Sequence, residues 1–178
     1  MLTLESPSAH HKASFICAAN AYLAALEAKP IERYPLAVND FDGFLVSLEN
    51  MASGLGLATT WVPMHTYFLV QDQNMVVGIA RLRPALTPAL ELDGGHIGYD
   101  IVPGYRNLGY GTELLRLTLQ KAQALGLAKV ILTTESNNIG STRIIERNGG
   151  QFRRAYLSPA SNAPMRRYII DIANQPSA

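Results

Sequence analysis

Residues 101–115 read Ile101-Val102-Pro103-Gly104-Tyr105-Arg106-Asn107-Leu108-Gly109-Tyr110-Gly111-Thr112-Glu113-Leu114-Leu115. The residues before Pro103 are apolar and β-prone, and those after Gly111 carry helical spacing. A strand, a tight glycine turn and a helix start therefore follow one another directly. Gly109 and Gly111 leave backbone N–H groups without side-chain cover at the positive end of that helix. Such an arrangement favours an anion, most naturally a phosphate or pyrophosphate.

Composition limits what this cradle can serve. The 178 residues are one domain by length, residues 1–178, and suffice to bury a sizeable core. Hydrophobic residues make up 48% and charged residues 16%; Lys+Arg 15 against Asp+Glu 14 leaves a net charge of +1. That balance argues against a nucleic-acid partner. A single cysteine, Cys17, excludes an internal disulfide framework and fits a reducing, cytoplasmic setting. No run approaches the roughly 18 apolar residues of a membrane span, so no membrane partner is expected. The apolar stretch 15–26 follows Lys12, but Asn20 and Tyr22 interrupt it and Glu5 stands where a secretion signal is basic; a helix reads better.

Along the chain, residues 2–5 alternate as a first strand, and residues 10–27 place Phe15, Ala18, Ala19, Tyr22, Leu23 and Leu26 on one helical face. Cys17 lies on this helix as a buried, inert thiol, and Lys29-Pro30 breaks the element. Asn39 or Asp40 can cap a second helix carrying Phe41, Phe44, Leu45, Leu48 and Met51. After Pro63 the period changes to that of strands: 66–70 and 75–83 form a hairpin around 71–74, and 85–95 is a loop. Residues 96–102 lead into the opening motif, whose helix ends at Gly126. Residues 130–132 are a short strand covered on both faces, so 96–134 forms a strand-helix-strand unit, expected to be parallel. Asn138 caps a short helix stopped by Gly149-Gly150. Two strands, 151–157 and 165–171, and a frayed tail from 174 close the chain.

Three glycine loops compete for the cradle. A Walker loop needs a terminal Gly-Lys-Ser/Thr, which is absent. A dinucleotide fingerprint needs a third glycine where Leu114 stands. The third pattern fits: Arg106-x-x-Gly109-x-Gly111 after a strand and Pro103 resembles the acyl-CoA pyrophosphate loop of the GNAT N-acetyltransferases. Downstream, Asn138-Ile-Gly-Ser141-Thr-Arg-Ile-Ile-Glu-Arg-Asn-Gly-Gly150 resembles that family's second cofactor segment. Upstream, Val76-Val-Gly-Ile-Ala-Arg-Leu-Arg83 and Gly94-Gly-His-Ile-Gly-Tyr99 are similar to a bacterial branch of predicted acetyltransferases. The likeness covers about residues 62–157, the expected cofactor-binding core. It implies an α/β fold with a central mixed, mostly antiparallel sheet flanked by helices.

The resemblance implies acetyl-CoA as co-substrate and direct acetyl transfer from its thioester to a primary amine of a small molecule or protein. A non-catalytic acyl-CoA-binding domain is the alternative, and a homodimer is compatible with either. The backbone at Leu108, Gly109, Tyr110, Gly111 and Thr112 would hold the pyrophosphate, with Arg106 and Asn107 beside it. The strand edge at Tyr99, Ile101 and Val102 would pair with the pantetheine arm. Asn138 and Ser141 would contact the cofactor, although a plain helix cap also explains Asn138. No metal ligands are implied. A protonated amine, with a pKa of roughly 10, needs a base. His96 and Asp100 on the strand and Glu135 after the next are the candidates. Many relatives carry a proton-donating Tyr on the helix after the Asn; here that position is Ile145. Tyr110 is then the candidate acid, with Tyr99, Tyr105, water or no acid as alternatives. Trp61, Met64, His65 and Tyr67 could line an acceptor pocket, though such a cluster more often belongs to the core.

Overall fold

The computed structural model describes residues 1–27 and 37–173. In chain order the elements are β1 (Leu2–Glu5), α1 (Lys12–Ala24), α2 (Phe41–Ser53), β2 (His65–Gln71), β3 (Met75–Leu82) and α3 (Pro88–Leu92). There follow β4 (Ile97–Ile101), α4 (Tyr110–Ala124), β5 (Lys129–Glu135), α5 (Ile139–Arg147), β6 (Gln151–Leu157) and β7 (Pro164–Asp171). They build one sheet in the order β1-β2-β3-β4 and another in the order β5-β7-β6, antiparallel throughout. The break expected at Lys29-Pro30 and the tail from 174 lie outside the described residues.

Local chemistry explains most boundaries. Asp40 accepts the Gly43 amide at 2.9 Å to start α2, and Gly54, at φ 77°, ends it in the left-handed conformation. The β2–β3 turn places Asp72 and Gln73 at φ 50° and 67°, the paired positive φ values that match the strands' right-handed twist. At the start of α1, His11 Nδ1 accepts the Ser8 amide at 3.1 Å, while its Nε2 lies 3.4 Å from the Glu5 carboxylate. This ties β1 to α1. Within the expected 85–95 loop, Thr87 caps the short α3 by accepting the Leu90 amide at 3.2 Å.

Two layers cover the first sheet. Phe15 from α1 and Phe41 and Phe44 from α2 pack on Phe68, Val70 and Ile79, with the Phe15 and Phe68 rings 5.2 Å apart. On the other face, Leu114 of α4 meets Leu69 and Val77; Leu115, Leu119 and Ala122 bridge to Val130, Leu132 and Tyr168 of the second sheet. Leu23 and Leu26, expected on the buried face of the first helix, are instead 51% and 94% exposed: Leu26 lies past the end of α1 at Ala24, and Leu23 falls at the edge of the stripe that Phe15, Ala18, Ala19 and Tyr22 bury. Cys17 is also exposed, because it falls between the buried positions Phe15 and Ala18 and off their stripe.

The strand-helix-strand unit is the main departure from expectation. β4 and β5 share no parallel ladder. Among the described residues their backbones are joined at a pinch just before β4, where the His96 amide donates to the Ile131 carbonyl at 2.8 Å and Gly95 bridges to Leu132. Beyond the pinch, 97–101 and 132–135 flank an open cleft. Gly95 is required there: its φ is +70°, and a Cβ would lie 2.4 Å from the Ile131 carbonyl oxygen.

Candidate active site

β4 keeps one edge for β3 and turns the other into the gap. The Val102 amide bonds the Val77 carbonyl at 3.0 Å and the His96 carbonyl accepts from Arg83 at 2.8 Å. By antiparallel alternation, the main-chain groups of Ile97, Tyr99 and Ile101 therefore face away from β3. A strand edge of this kind can pair with an extended ligand. Val102 does not belong to that edge. It is buried, and both its amide and its carbonyl are already used, the latter by Tyr105.

A cleft of about 410 Å³ opens along this edge, lined by Tyr99, Asp100, Ile101, Arg106, Asn107, Gly111, Asn138 and Ser141 among others. At its end stands the first turn of α4. Gly109, at φ +84°, starts the helix, and the amides of Thr112 and Glu113 turn back to its carbonyl at 3.1 and 3.2 Å. Among the described residues the amides of Leu108, Gly109, Tyr110 and Gly111 have no hydrogen-bond partner. Four clustered donors at a helix N-terminus suit an anion. Gly111 has a second duty, since a Cβ there would meet Ile144 Cδ1 at 2.5 Å; it lets α4 approach α5. Thr112 contributes less than expected, because its amide is committed.

Arg106 is committed too. Its guanidinium makes a double hydrogen bond to Glu27 at 2.7 and 2.6 Å, and its Nε donates to the Ile101 carbonyl at 3.0 Å. The hydrogen bonds with Arg106 hold Glu27 below the usual carboxylate range. Arg106 thus braces the turn after β4, with its charge matched inside the cleft. Asn138 Oδ1 accepts the Ser141 amide at 2.9 Å and caps α5, while the residue also forms part of the cleft wall.

A second cleft, about 330 Å³, lies between the diverging strands and is lined by Arg81, Tyr99, Asp100, Thr133, Glu135, Ser141, Ile145 and Met165 among others. Tyr99, Asp100, Asn138 and Ser141 belong to both clefts. The Tyr99 hydroxyl donates to the Ser141 carbonyl at 3.4 Å, and burial pushes its pKa up to about 12. Asp100 is ion-paired with the buried Arg81 at 2.5 Å. Glu135 is exposed at the end of β5, on the second cleft.

Two expected roles are corrected. His96 Nδ1 accepts the Ile131 amide at 3.0 Å, and burial lowers its pKa. The proton of the neutral ring therefore sits on Nε2, which leaves no lone pair to act as a base. His96 fastens the pinch instead. The Tyr110 hydroxyl donates to Gln71 Oε1 at 3.1 Å, and its ring lies 6.2 Å from that of Tyr105 at the outer end of the β2–β3 hairpin. Its proton is therefore not directed into either cleft. The aromatic group near residue 65 also disperses. Trp61 and Met64 line a separate cavity with Met51 and Leu90, whereas Tyr67 is core and His65 stacks on it.

Glu27, Arg81 and Tyr22 also belong to this region, the first two through their ion pairs with Arg106 and Asp100. The Tyr22 hydroxyl is buried, lacks a hydrogen-bond partner among the described residues, and lies within electrostatic reach of Asp100 and Arg106. Burial raises its pKa. Its place in a helical apolar stripe gave no signal of this.

The sequence model of the acetyltransferase (GNAT) domain matches residues 2–151. The chain belongs to the GNAT acetyltransferase family, whose co-substrate is acetyl-CoA. RimJ of Mycobacterium smegmatis, solved with CoA-disulfide, superposes with a TM-score of 0.72 at 15% identity over 99% of this chain and 85% of that one. The microcin C7 self-immunity acetyltransferase MccE, solved with acetyl-CoA and AMP, gives 0.67 at 12% identity over 96% and 92%. YncA of Salmonella typhimurium, a putative acetyltransferase solved with acetyl-CoA, gives 0.63 at 16% over 99% and 96%. At these identities the likeness is one of fold. No curated protein matches the sequence. No helix among the described residues is long and apolar enough to cross a membrane.

Proposed function

We propose that the chain transfers an acetyl group from acetyl-CoA to a primary amine by direct attack on the thioester. One observation carries the reading: a strand edge left open at Ile97, Tyr99 and the Ile101 amide leads to four unpartnered amides at the start of α4. An extended molecule ending in a pyrophosphate matches both parts. Bound there, acetyl-CoA supplies an acetyl group activated as a thioester. The amides of residues 108–111 would hold the pyrophosphate, the β4 edge the pantetheine arm, and Asn138 and Ser141 the wall between α5 and β4.

The amine would enter by the second cleft. Of the two carboxylates there, Asp100 is paired with Arg81, so Glu135 is the group assigned to take the first proton from the ammonium and pass it to solvent. As the C–N bond forms and the C–S bond breaks, the nitrogen passes its second proton to the emptied Glu135, the sulfur gains one, and the group that gave it is reprotonated from solvent. Tyr99 is the donor assigned: the residue lines both clefts, and its hydroxyl, with a pKa pushed up to about 12, keeps its proton at neutral pH. It would take over from the position where Ile145 stands, buried and without a proton to give.

Thermal melts with acetyl-CoA, CoA, ATP and NAD test the donor assignment. Ligand at a hundred times its dissociation constant stabilises by about 2.7 kcal/mol, so both CoA species should raise the melt and the others should not. A shift with ATP or NAD alone would sink it. CoA release over a panel of amines tests transfer. Tyr99→Phe should slow it with CoA affinity retained, and Ile145→Tyr in that background should restore part of the rate. Equal rates for Tyr99→Phe and the parent would remove Tyr99 from the reaction.

A further inference from the structure

The last hairpin carries two arginine pairs set against each other. β6 holds Arg153 and Arg154, and β7 holds Arg166 and Arg167. In the register, Arg154 lies directly opposite Arg167, and Arg167 directly opposite Thr133 of β5. Directly opposed residues share a face, with Cβ atoms only about 5 Å apart, so this pairing sets like charges side by side and opposes folding. Among the described residues no carboxylate lies within ion-pair distance of Arg154, Arg166 or Arg167.

The pair borders the second cleft without lining it. Two residues along the same face, Glu135, Met165 and Tyr156 form the next row, and Thr133, Glu135 and Met165 line the second cleft. The charge of Arg167 is felt both by Tyr156 and by His96 at the pinch. Arg154 rests its guanidinium over the Tyr156 ring, 5.5 Å from the centroid, which holds it on this face. Nearby Asp93 is engaged by the Ser158 and Tyr156 hydroxyls. A repulsive pair without counter-charge, next to the cleft assigned to the acceptor, is what an anionic substrate group would satisfy.

We infer that the amine acceptor also carries an oxyanion, a carboxylate or a phosphate, gripped by Arg154 and Arg167 on the hairpin face that borders the second cleft. The inference rests on the acyl-transfer reading above. The amine lies toward the carboxylates Glu135 and Asp100, and the anion lies toward the arginines, so the cleft selects an acceptor with both charges. Planar guanidinium forks suit either oxyanion.

Calorimetric titration of the CoA-loaded protein with matched amines tests this: O-phosphoethanolamine against ethanolamine, and β-alanine against β-alaninamide. Each anionic member should bind at least about tenfold tighter than its neutral partner, since hydrogen bonds to charged groups contribute on that scale, and the advantage should shrink with added salt. The tighter of the two anionic probes identifies phosphate or carboxylate. Arg154→Gln and Arg167→Gln should each remove most of the preference and leave CoA affinity unchanged. The double variant should melt no lower than the parent, because a repulsive pair has been removed. Equal binding within both matched pairs, or a preference that survives in the double variant, overturns the inference. Failure of CoA itself to bind would instead bring down the acyl-transfer reading, and this inference with it.

Discussion

His96→Ala separates a structural imidazole from a catalytic one. In the parent, Nδ1 of His96 accepts the Ile131 amide at 3.0 Å, at the pinch where the chain entering β4 is bonded to β5. Truncation leaves that amide without its acceptor in a half-buried setting, which costs about 1–3 kcal/mol. For a chain of this size, 1 kcal/mol moves the melting temperature by roughly 2–4 °C, so a drop of about 2–12 °C is expected by circular dichroism. The pH dependence has a definite sign. Burial holds the folded imidazole below its ordinary value of 6.5, so below 6.5 the unfolded chain takes up a proton that the folded one refuses. The parent therefore keeps its full stability above 6.5 and loses some as the pH falls from there toward the folded pKa. The variant lacks that loss, and its deficit against the parent should narrow on acidification. His11, also lowered by burial, leaves both proteins some acid sensitivity. His96→Asn, with an acceptor oxygen, should recover part of the melt. An unchanged melt with acyl transfer abolished and CoA binding intact would refute the reasoning and make His96 the base.

Gly95→Ala should destabilise more than His96→Ala, because its Cβ would sit 2.4 Å from the Ile131 carbonyl oxygen and its φ is left-handed; denaturant midpoints give the comparison. Asn138→Ala loses the α5 cap, about 1 kcal/mol, and part of the wall of the first cleft, so CoA affinity should fall with the melt, whereas Asn138→Asp should keep the melt. Tyr110→Phe removes only the bond to Gln71 and should leave the rate of CoA release within about twofold of the parent; a large loss would return Tyr110 to the chemistry.

The stretch 101–115 announced its strand, turn and helix because each uses local chemistry: a proline stop, glycines at the turn, helical spacing after it. The caps at Asp40 and Asn138 and the hairpins were legible for the same reason. The splay of β4 from β5 was not. A strand covered on both faces looks alike in sequence whether or not its neighbour is bonded to it, and the pinch from which the two diverge rests on one left-handed glycine and one imidazole acceptor. Roles that depend on where a side chain's hydrogen bonds go were equally hidden. His96 has a suitable pKa in isolation, and Tyr110 sits on the right loop, yet an amide from β5 and a glutamine from β2 claim them. Glu27, Arg81 and Arg106 converge from α1's end, β3 and the glycine loop, a meeting that no spacing encodes. The arginine pairs stand as two plain dipeptides until the register sets them opposite each other.

Tyr99, Asp100, Asn138 and Ser141 are walls of two clefts at once, and this has a kinetic meaning. Two ligands entering by separate mouths can occupy the protein together, so initial-rate plots should intersect rather than run parallel. A dead-end analogue lodged in one mouth should fail to compete with the ligand of the other. A bisubstrate molecule spanning both should compete with each.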